Sequence, residues 1–163
     1  MDVGRKKVEE VFFDAMLNGW ANPDIEKTTL PHFPRSKAIW FRRGNFMVLD
    51  WYLKNGTESM GNTIIWEEGI PTWMMSYGGS YPKEAIPFLK EALLVAYQKR
   101  GFFGGRGPIF YFYQNDKYVY INTTMRNNFA SFLGAEKIVL KENSAIVGFH
   151  TYWGRLLRTA YII

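Results

Sequence analysis

The acid–base and ion-pairing chemistry open to this chain rests on four side chains: Asp50, Arg106, Glu136 and His150. Asp50 interrupts the apolar run Phe46–Tyr52, which reads as a strand. Alternation leaves it two orientations: solvated, or buried with Arg106 or a tyrosine hydroxyl as its partner. Glu136 has the same two options, and Phe132-Leu133-Gly134 before it suggests close packing. His150 lies between Phe149 and Thr151, as a satisfied sheet histidine or as a base titrating near neutrality. If Asp50, Glu136 and His150 converge, paired acid–base chemistry becomes available. Arg106 stands in the glycine-rich stretch Gly101–Pro108, which follows a helix and contains no Gly-Lys-Ser/Thr, so it is not a phosphate loop.

Other chemistries are excluded by composition. There is no cysteine, so no disulfide, thiolate metal site or cysteine nucleophile exists. Only two histidines occur, His32 in a proline-rich loop and His150, with no His-Glu-x-x-His pair and no Gly-x-Ser-x-Gly elbow. No metal and no cofactor are expected. Aromatics reach 18% and must mostly fill a core, which is the reading given to Trp66, Trp73, Tyr77, Tyr111, Tyr113, Tyr120, Tyr152 and Trp153. If some share a cleft with the polar four, the binding set is Asp50, Tyr52, Trp73, Tyr77, Arg106, Glu136, His150 and Tyr152. The leading expectation is a non-catalytic small-ligand-binding or sensory module, its ligand small and anionic. The alternatives are an enzyme using Asp50, Glu136 and His150, and a single-stranded nucleic-acid binder.

The net charge is +5, and the whole excess falls after Lys99 as scattered single charges. Tyr111, Tyr113, Tyr118 and Tyr120 alternate on two neighbouring strands, with Lys117, Arg126, Lys137 and Lys141 nearby, in the manner of a base-stacking platform. A helix must also bury its stripe, however, and tyrosines beneath a helix cannot stack on bases. No run of 18 apolar residues and no signal-peptide pattern occurs, so a cytoplasmic protein without a membrane partner is expected; a homodimer is left open.

One helix organises the rest. Phe88, Leu89, Ala92, Leu93, Ala96 and Tyr97 recur at helical spacing over residues 87–99, with Gly101 in position to stop the helix. Residues 5–18 read as a second helix, followed by an irregular arm to residue 37. Strands are expected at 38–42, 46–52, 63–66 and 70–77, and again at 109–113, 118–123, 137–140 and 145–152. The chain thus reads as a single α+β domain over 1–163: an arm to 37, a meander over 38–79, a connecting helix over 82–100 and a meander over 109–154. The meanders resemble each other. Phe46 and Leu49 align with Tyr118 and Ile121, Gly61 and Ile65 with Gly134 and Ile138, and Tyr77 and Gly79 with Tyr152 and Gly154.

A family pattern is visible in Gly44-Asn45-Phe46, Asp50-x-Tyr52, Pro71-x-Trp73-x-Met75-x-Tyr77-x-Gly79, Phe88-Leu89-Lys90-Glu91-Ala92-Leu93, Arg106-Gly107-Pro108, Tyr118-x-Tyr120, Phe132-x-Gly134-x-Glu136-x-Ile138 and Tyr152-x-Gly154. Over about residues 41–157 the chain resembles an uncharacterised prokaryotic domain family. That family occurs alone or behind helix-turn-helix modules in proteins described as transcription regulators. The resemblance implies a fold and no activity. The pattern has an aromatic and an acid around Gly61, where this chain has Met60 and Thr63, and no helix-turn-helix fits before residue 41.

Overall fold

The structure, a computed structural model, describes residues 3–112 and 117–157. It opens with α1 (Val3–Leu17), then β1 (Ser36–Arg43), β2 (Phe46–Asn55), β3 (Glu58–Glu67) and β4 (Ile70–Ser80). A 3₁₀ turn, Lys83–Ala85, leads into α2 (Ile86–Gln98), and β5 (Phe110–Tyr111), β6 (Tyr118–Asn128), β7 (Ser131–Leu140) and β8 (Ile146–Leu156) follow. The strands form one open antiparallel sheet in the order β1-β2-β3-β4-β8-β7-β6-β5, giving the α+β class that the sequence led us to expect. After β4, α2 carries the chain toward the far edge, and the remaining strands return to the centre. There β8 pairs with β4, with Tyr152 directly opposite Tyr77.

Both helices lie on the same sheet face. Val8, Val11, Phe12, Ala15 and Met16 of α1 and the expected stripe of α2 are buried in one core with Ile65, Trp73, Met75, Tyr120 and Ile138. Trp73 stacks on Phe129 and Phe132, and its indole N–H donates to the Phe129 carbonyl at 3.0 Å. Along β8, Gly148, His150, Tyr152 and Gly154 face the helices, while Phe149, Thr151, Trp153 and Arg155 face away. Trp153, expected in the core, is therefore 55% exposed on the other face, and Trp66 is only partly buried. Tyr118 and Tyr120 are buried; Phe88 of α2 packs on Tyr118 and Tyr111, so this face is not a free stacking platform. Tyr113 and the turn expected at 114–116 lie outside the described residues.

Three local expectations need correcting. The left-handed residue that ends α2 is Arg100 (φ 50°), not Gly101. The Gly101 N–H then bonds back to the Ala96 carbonyl at 3.0 Å, and the Arg100 guanidinium reaches Asp14 on α1 at 2.6 Å, which holds the strained residue in place. The strands expected at 46–52, 63–66, 118–123 and 137–140 run on through the polar residues between them: β2–β3 and β6–β7 are long hairpins. Ladder hydrogen bonds to the neighbouring strands supply what their β-propensity lacks. Last, β5 is only two residues long, against the five expected at 109–113.

Candidate functional site

Between α2, the chain after α1, and β2–β4 lies a cavity of about 390 Å³. One wall is apolar, built by Met16, Trp20 and Ala21 and by Ile86, Pro87, Leu89 and Leu93. The helical spacing of α2 explains its share: the stripe that seals the core at Phe88 and Ala92 also presents Leu89 and Leu93 to this space. The opposite wall is the sheet, with Asp50, Tyr52, Thr63, Met75, Tyr77 and His150. Lys27, Lys54, Lys83 and Lys90 come from four separate segments and also line it. Trp20 takes the ammonium groups of Lys90 at 4.9 Å and Lys27 at 6.0 Å over its ring. Burial lowers the pKa of both lysines, and the charges of Lys90 and Lys37 lower that of Lys27 further.

Asp50 faces the helix side and is buried. Its Oδ1 accepts from the Tyr77 hydroxyl at 2.7 Å and from Thr63 Oγ1 at 2.9 Å. Burial raises its pKa above the ordinary carboxylate value; the two hydroxyl bonds and the Arg106 charge oppose the shift without cancelling it. Register puts Thr63 opposite Asp50 on β3, and strand alternation puts Tyr77 on the same face of β4.

The floor is an ion pair. Arg106 enters from the loop after α2 and donates through Nη2 to Glu136 Oε1 at 2.5 Å, while the Tyr120 hydroxyl donates to Oε2 at 2.5 Å. The guanidinium lies over the Tyr77 ring at 5.6 Å. Burial alone would raise Glu136, but the Arg106 charge and hydrogen bond outweigh it and hold this carboxyl below its ordinary value. His150 is wedged beside the pair. Its Nε2 is 3.3 Å from Ser59 Oγ and its Nδ1 is 3.7 Å from Glu136 Oε1. Burial and the Arg106 charge press its pKa down to about 4, so the ring is neutral near pH 7. Arg106 Nε and His150 Nδ1 are buried with no hydrogen-bond partner, although both residues line the cavity.

Of the eight candidate residues, Asp50, Tyr52, Tyr77, Arg106 and His150 share the cavity. Glu136 stands behind it as the counter-ion of Arg106. Trp73 belongs to the aromatic core. Tyr152 faces the other half of the sheet, where its hydroxyl donates to Asn122 Oδ1 at 2.6 Å. Among the described residues, no cluster of three or more His, Asp or Glu is arranged to hold a metal ion.

The pattern of one domain family, a domain of unknown function (DUF5680), matches residues 50–156. The chain belongs to this family. The DUF5680 match begins at Asp50, so it contains the polar wall, α2 and Arg106, whereas Met16, Trp20 and Lys27 precede it. No curated protein and no solved structure matches the chain. Among the described residues, no helix is long and apolar enough to cross a membrane, which says nothing of a β-barrel.

Three groups of site residues escaped the sequence reading. The lysines carry no signal, because each is an ordinary surface residue of its own segment. Tyr81, whose ring edge meets His150 at 4.8 Å, follows directly after β4 and was equally silent. Thr63 and Asn122 had a signal: they align with Glu136 and Asp50 when the two halves are superposed in sequence.

Proposed function

We propose that this DUF5680 domain is a small-molecule binding module whose ligand sits between α2 and β2–β4. One observation carries the reading: a cavity of ordinary ligand size combines an apolar wall with a buried carboxylate and with a buried guanidinium and imidazole that each leave a nitrogen without a hydrogen-bond partner. Arg106 Nε and His150 Nδ1 are costly where they stand unless a partner reaches them. The four lysines favour a ligand with an anionic group, kept near them while its apolar body lies along Leu89 and Leu93.

Two features support binding over acid–base catalysis. Both oxygens of Glu136 are engaged, by Arg106 and Tyr120, so it is a counter-ion with no proton to move. A histidine titrating at about 4 is a poor match to general-base work at neutral pH.

We further propose that the two sheet halves derive from one duplicated unit. Its support is a set of matched contacts about the β4–β8 pair. Tyr77 bonds Asp50 as Tyr152 bonds Asn122. A Cβ at Gly61 would meet the Trp51 carbonyl oxygen at 2.2 Å, and one at Gly134 the Thr123 carbonyl oxygen at 2.6 Å. Likewise Gly79 abuts the Phe149 carbonyl, and Gly154 the Met74 carbonyl.

The test is calorimetric and NMR titration with 4-phenylbutanoate, an apolar body with one carboxylate. Binding should perturb Leu89, Leu93 and Tyr77 resonances, and Thr57→Trp at the exposed rim should weaken it. Lys27→Ala with Lys90→Ala should weaken it most at low salt. Shifts confined to the opposite sheet face would refute the reading, as would binding indifferent to all three substitutions.

A further inference from the structure

The two halves treat the same space differently, and this difference specifies the ligand. Over Asn122 the space is filled by the chain itself. Asn122 Nδ2 donates to the Phe103 carbonyl at 2.9 Å and to the Gly107 carbonyl at 2.8 Å. The Gly107 N–H donates to the Tyr120 hydroxyl at 3.0 Å. The fit is close: Gly104 has φ 65°, and a Cβ there would stand 2.3 Å from the Tyr152 ring, while one at Gly107 would stand 2.7 Å from Tyr120. The glycines of 101–108 thus let a bare backbone press onto the tyrosines, which is the physical reason for that composition.

Over Asp50 no such segment intervenes, and the corresponding space is the cavity. One contact is shared: a tyrosine hydroxyl donates to Oδ1 of the β2 or β6 side chain in both halves. The second terminal atom is where they part. In Asn122 it is Nδ2, a donor, and it holds peptide carbonyls. In Asp50 it is Oδ2, an acceptor, since both hydroxyl bonds to this carboxylate fall on Oδ1. Hydrogen-bond polarity is therefore reversed between the half filled by the loop and the half that faces the cavity.

We infer that the cavity takes a ligand with an N–H donor head directed at Asp50, in the place where the loop backbone sits over Asn122. This rests on the binding reading above and specifies its chemistry: an N–H head at one end, an apolar body, and an anionic group near the lysines. A simple cation fits poorly, because Arg106 and Lys27 both act on Asp50 and would repel a head whose charge is not offset within the same molecule. An amine and an amide share the required donor, and the two can be compared directly.

The experiment uses one apolar acid with four heads on the whole chain: 4-phenylbutanoate and its para-amino, para-acetamido and para-acetyl derivatives. In the wild type the amino or acetamido compound should bind about ten- to a hundredfold tighter than the parent, the worth of one hydrogen bond to a charged group. The acetyl compound, an acceptor only, should gain nothing. In Asp50→Asn, Oδ1 still serves Tyr77 and Thr63, so a donor now occupies the second position. The preference should invert: the acetyl compound gains and the amino compound loses its advantage. Retention of the Tyr77 and Thr63 resonances in the variant shows that the fold is intact. Equal binding of all four by the wild type would overturn this inference and leave the binding reading standing. An amino advantage that survives Asp50→Asn would also overturn it. Binding of none in the cavity would defeat both.

Discussion

Asp50 on β2 and Glu136 on β7 are both buried carboxylates on the helix-covered face of one sheet, and the protein treats them in opposite ways. Glu136 is given an arginine, a tyrosine and a nearby imidazole, and its pKa falls although burial pushes it up. Asp50 is given two hydroxyls on one oxygen, and its pKa rises. Burial is common to both, so the number and charge of donors decides the sign. The fully paired carboxylate holds the fold together. The other, with both of its hydroxyl bonds on one oxygen, lines the cavity beside Arg106 Nε and His150 Nδ1, which have no hydrogen-bond partner.

The sharpest way to break that contrast is to remove the Glu136 charge. Glu136→Gln strands the Arg106 guanidinium in a buried site, and we expect a loss of about 3–5 kcal/mol, read from urea melts. The double variant Arg106→Met, Glu136→Leu should lose far less than either single change, because neither charge is then left alone. If single and double variants unfold alike, the pair is not the anchor described here.

Next in size is the response to acid. His150 is depressed to about 4 from an ordinary 6.5, so the folded state binds its proton later than the unfolded chain does. Its stabilising contribution is complete above pH 6.5, declines as pH falls toward 4, and amounts to at most about 3–4 kcal/mol at roughly 1.4 kcal/mol per unit. Glu136, also depressed, acts in the same direction at lower pH. Urea midpoints should therefore drop between pH 7 and pH 4.5, and His150→Phe should flatten the curve above pH 5. Because Asp50 acts in the opposite direction, the comparison decides: the same pH dependence in wild type and His150→Phe would show that His150 is not held neutral by its surroundings.

How much of this was legible beforehand differs between the two carboxylates. Glu136 announced its packing through Phe132-Leu133-Gly134, since a glycine beneath an aromatic signals close approach. Asp50 did not announce its side. Val48, Asp50 and Tyr52 occupy one phase of β2, and Leu49 and Trp51 the other, and both phases are apolar enough to be buried. Only the pairing with Thr63 and Tyr77 decides, and those bonds cross three strands. The helices could be read because periodicity is local. The hairpins through Gly61 and Gly134 could not, because their polar residues gain their place from neighbours distant in sequence. The cavity was invisible for the same reason: its walls come from stretches as far apart as Met16–Lys27, Asp50–Thr63, Met75–Tyr97, Arg106 and His150.

Asp50→Asn should change stability by less than about 1 kcal/mol, since the amide keeps Oδ1 for both hydroxyls. Its direction depends on pH. A raised folded pKa means that the acid's contribution is fully present below its unfolded value and is lost as pH rises through the folded one. The variant should thus gain on the wild type as pH rises from 4 to 8, by thermal midpoint. The reverse trend would mean that Asp50 is stabilised as an anion, like Glu136.

The smallest effect belongs to a third carboxylate, which has two arginines to the one of Glu136 but not the burial. Asp14 on α1 is paired with Arg43 at the β1–β2 turn and with Arg100 beyond α2, yet the arginine side chains are 50% and 47% exposed. Water already solvates all three groups, so holding them together gains little over leaving them apart. Asp14→Asn should cost under about 1 kcal/mol, and the cost should shrink further in 0.5 M salt, where the Debye length is only about 4 Å. The Glu136→Gln penalty should persist in the same salt, because ions do not reach a guanidinium buried against Tyr77. Measuring both variants at low and high salt separates ion pairing as such from ion pairing under burial. A large, salt-resistant loss for Asp14→Asn would mean that the α1 anchor, and with it the Met16–Trp20 wall of the cavity, depends on this surface triad rather than on the apolar stripe beneath it.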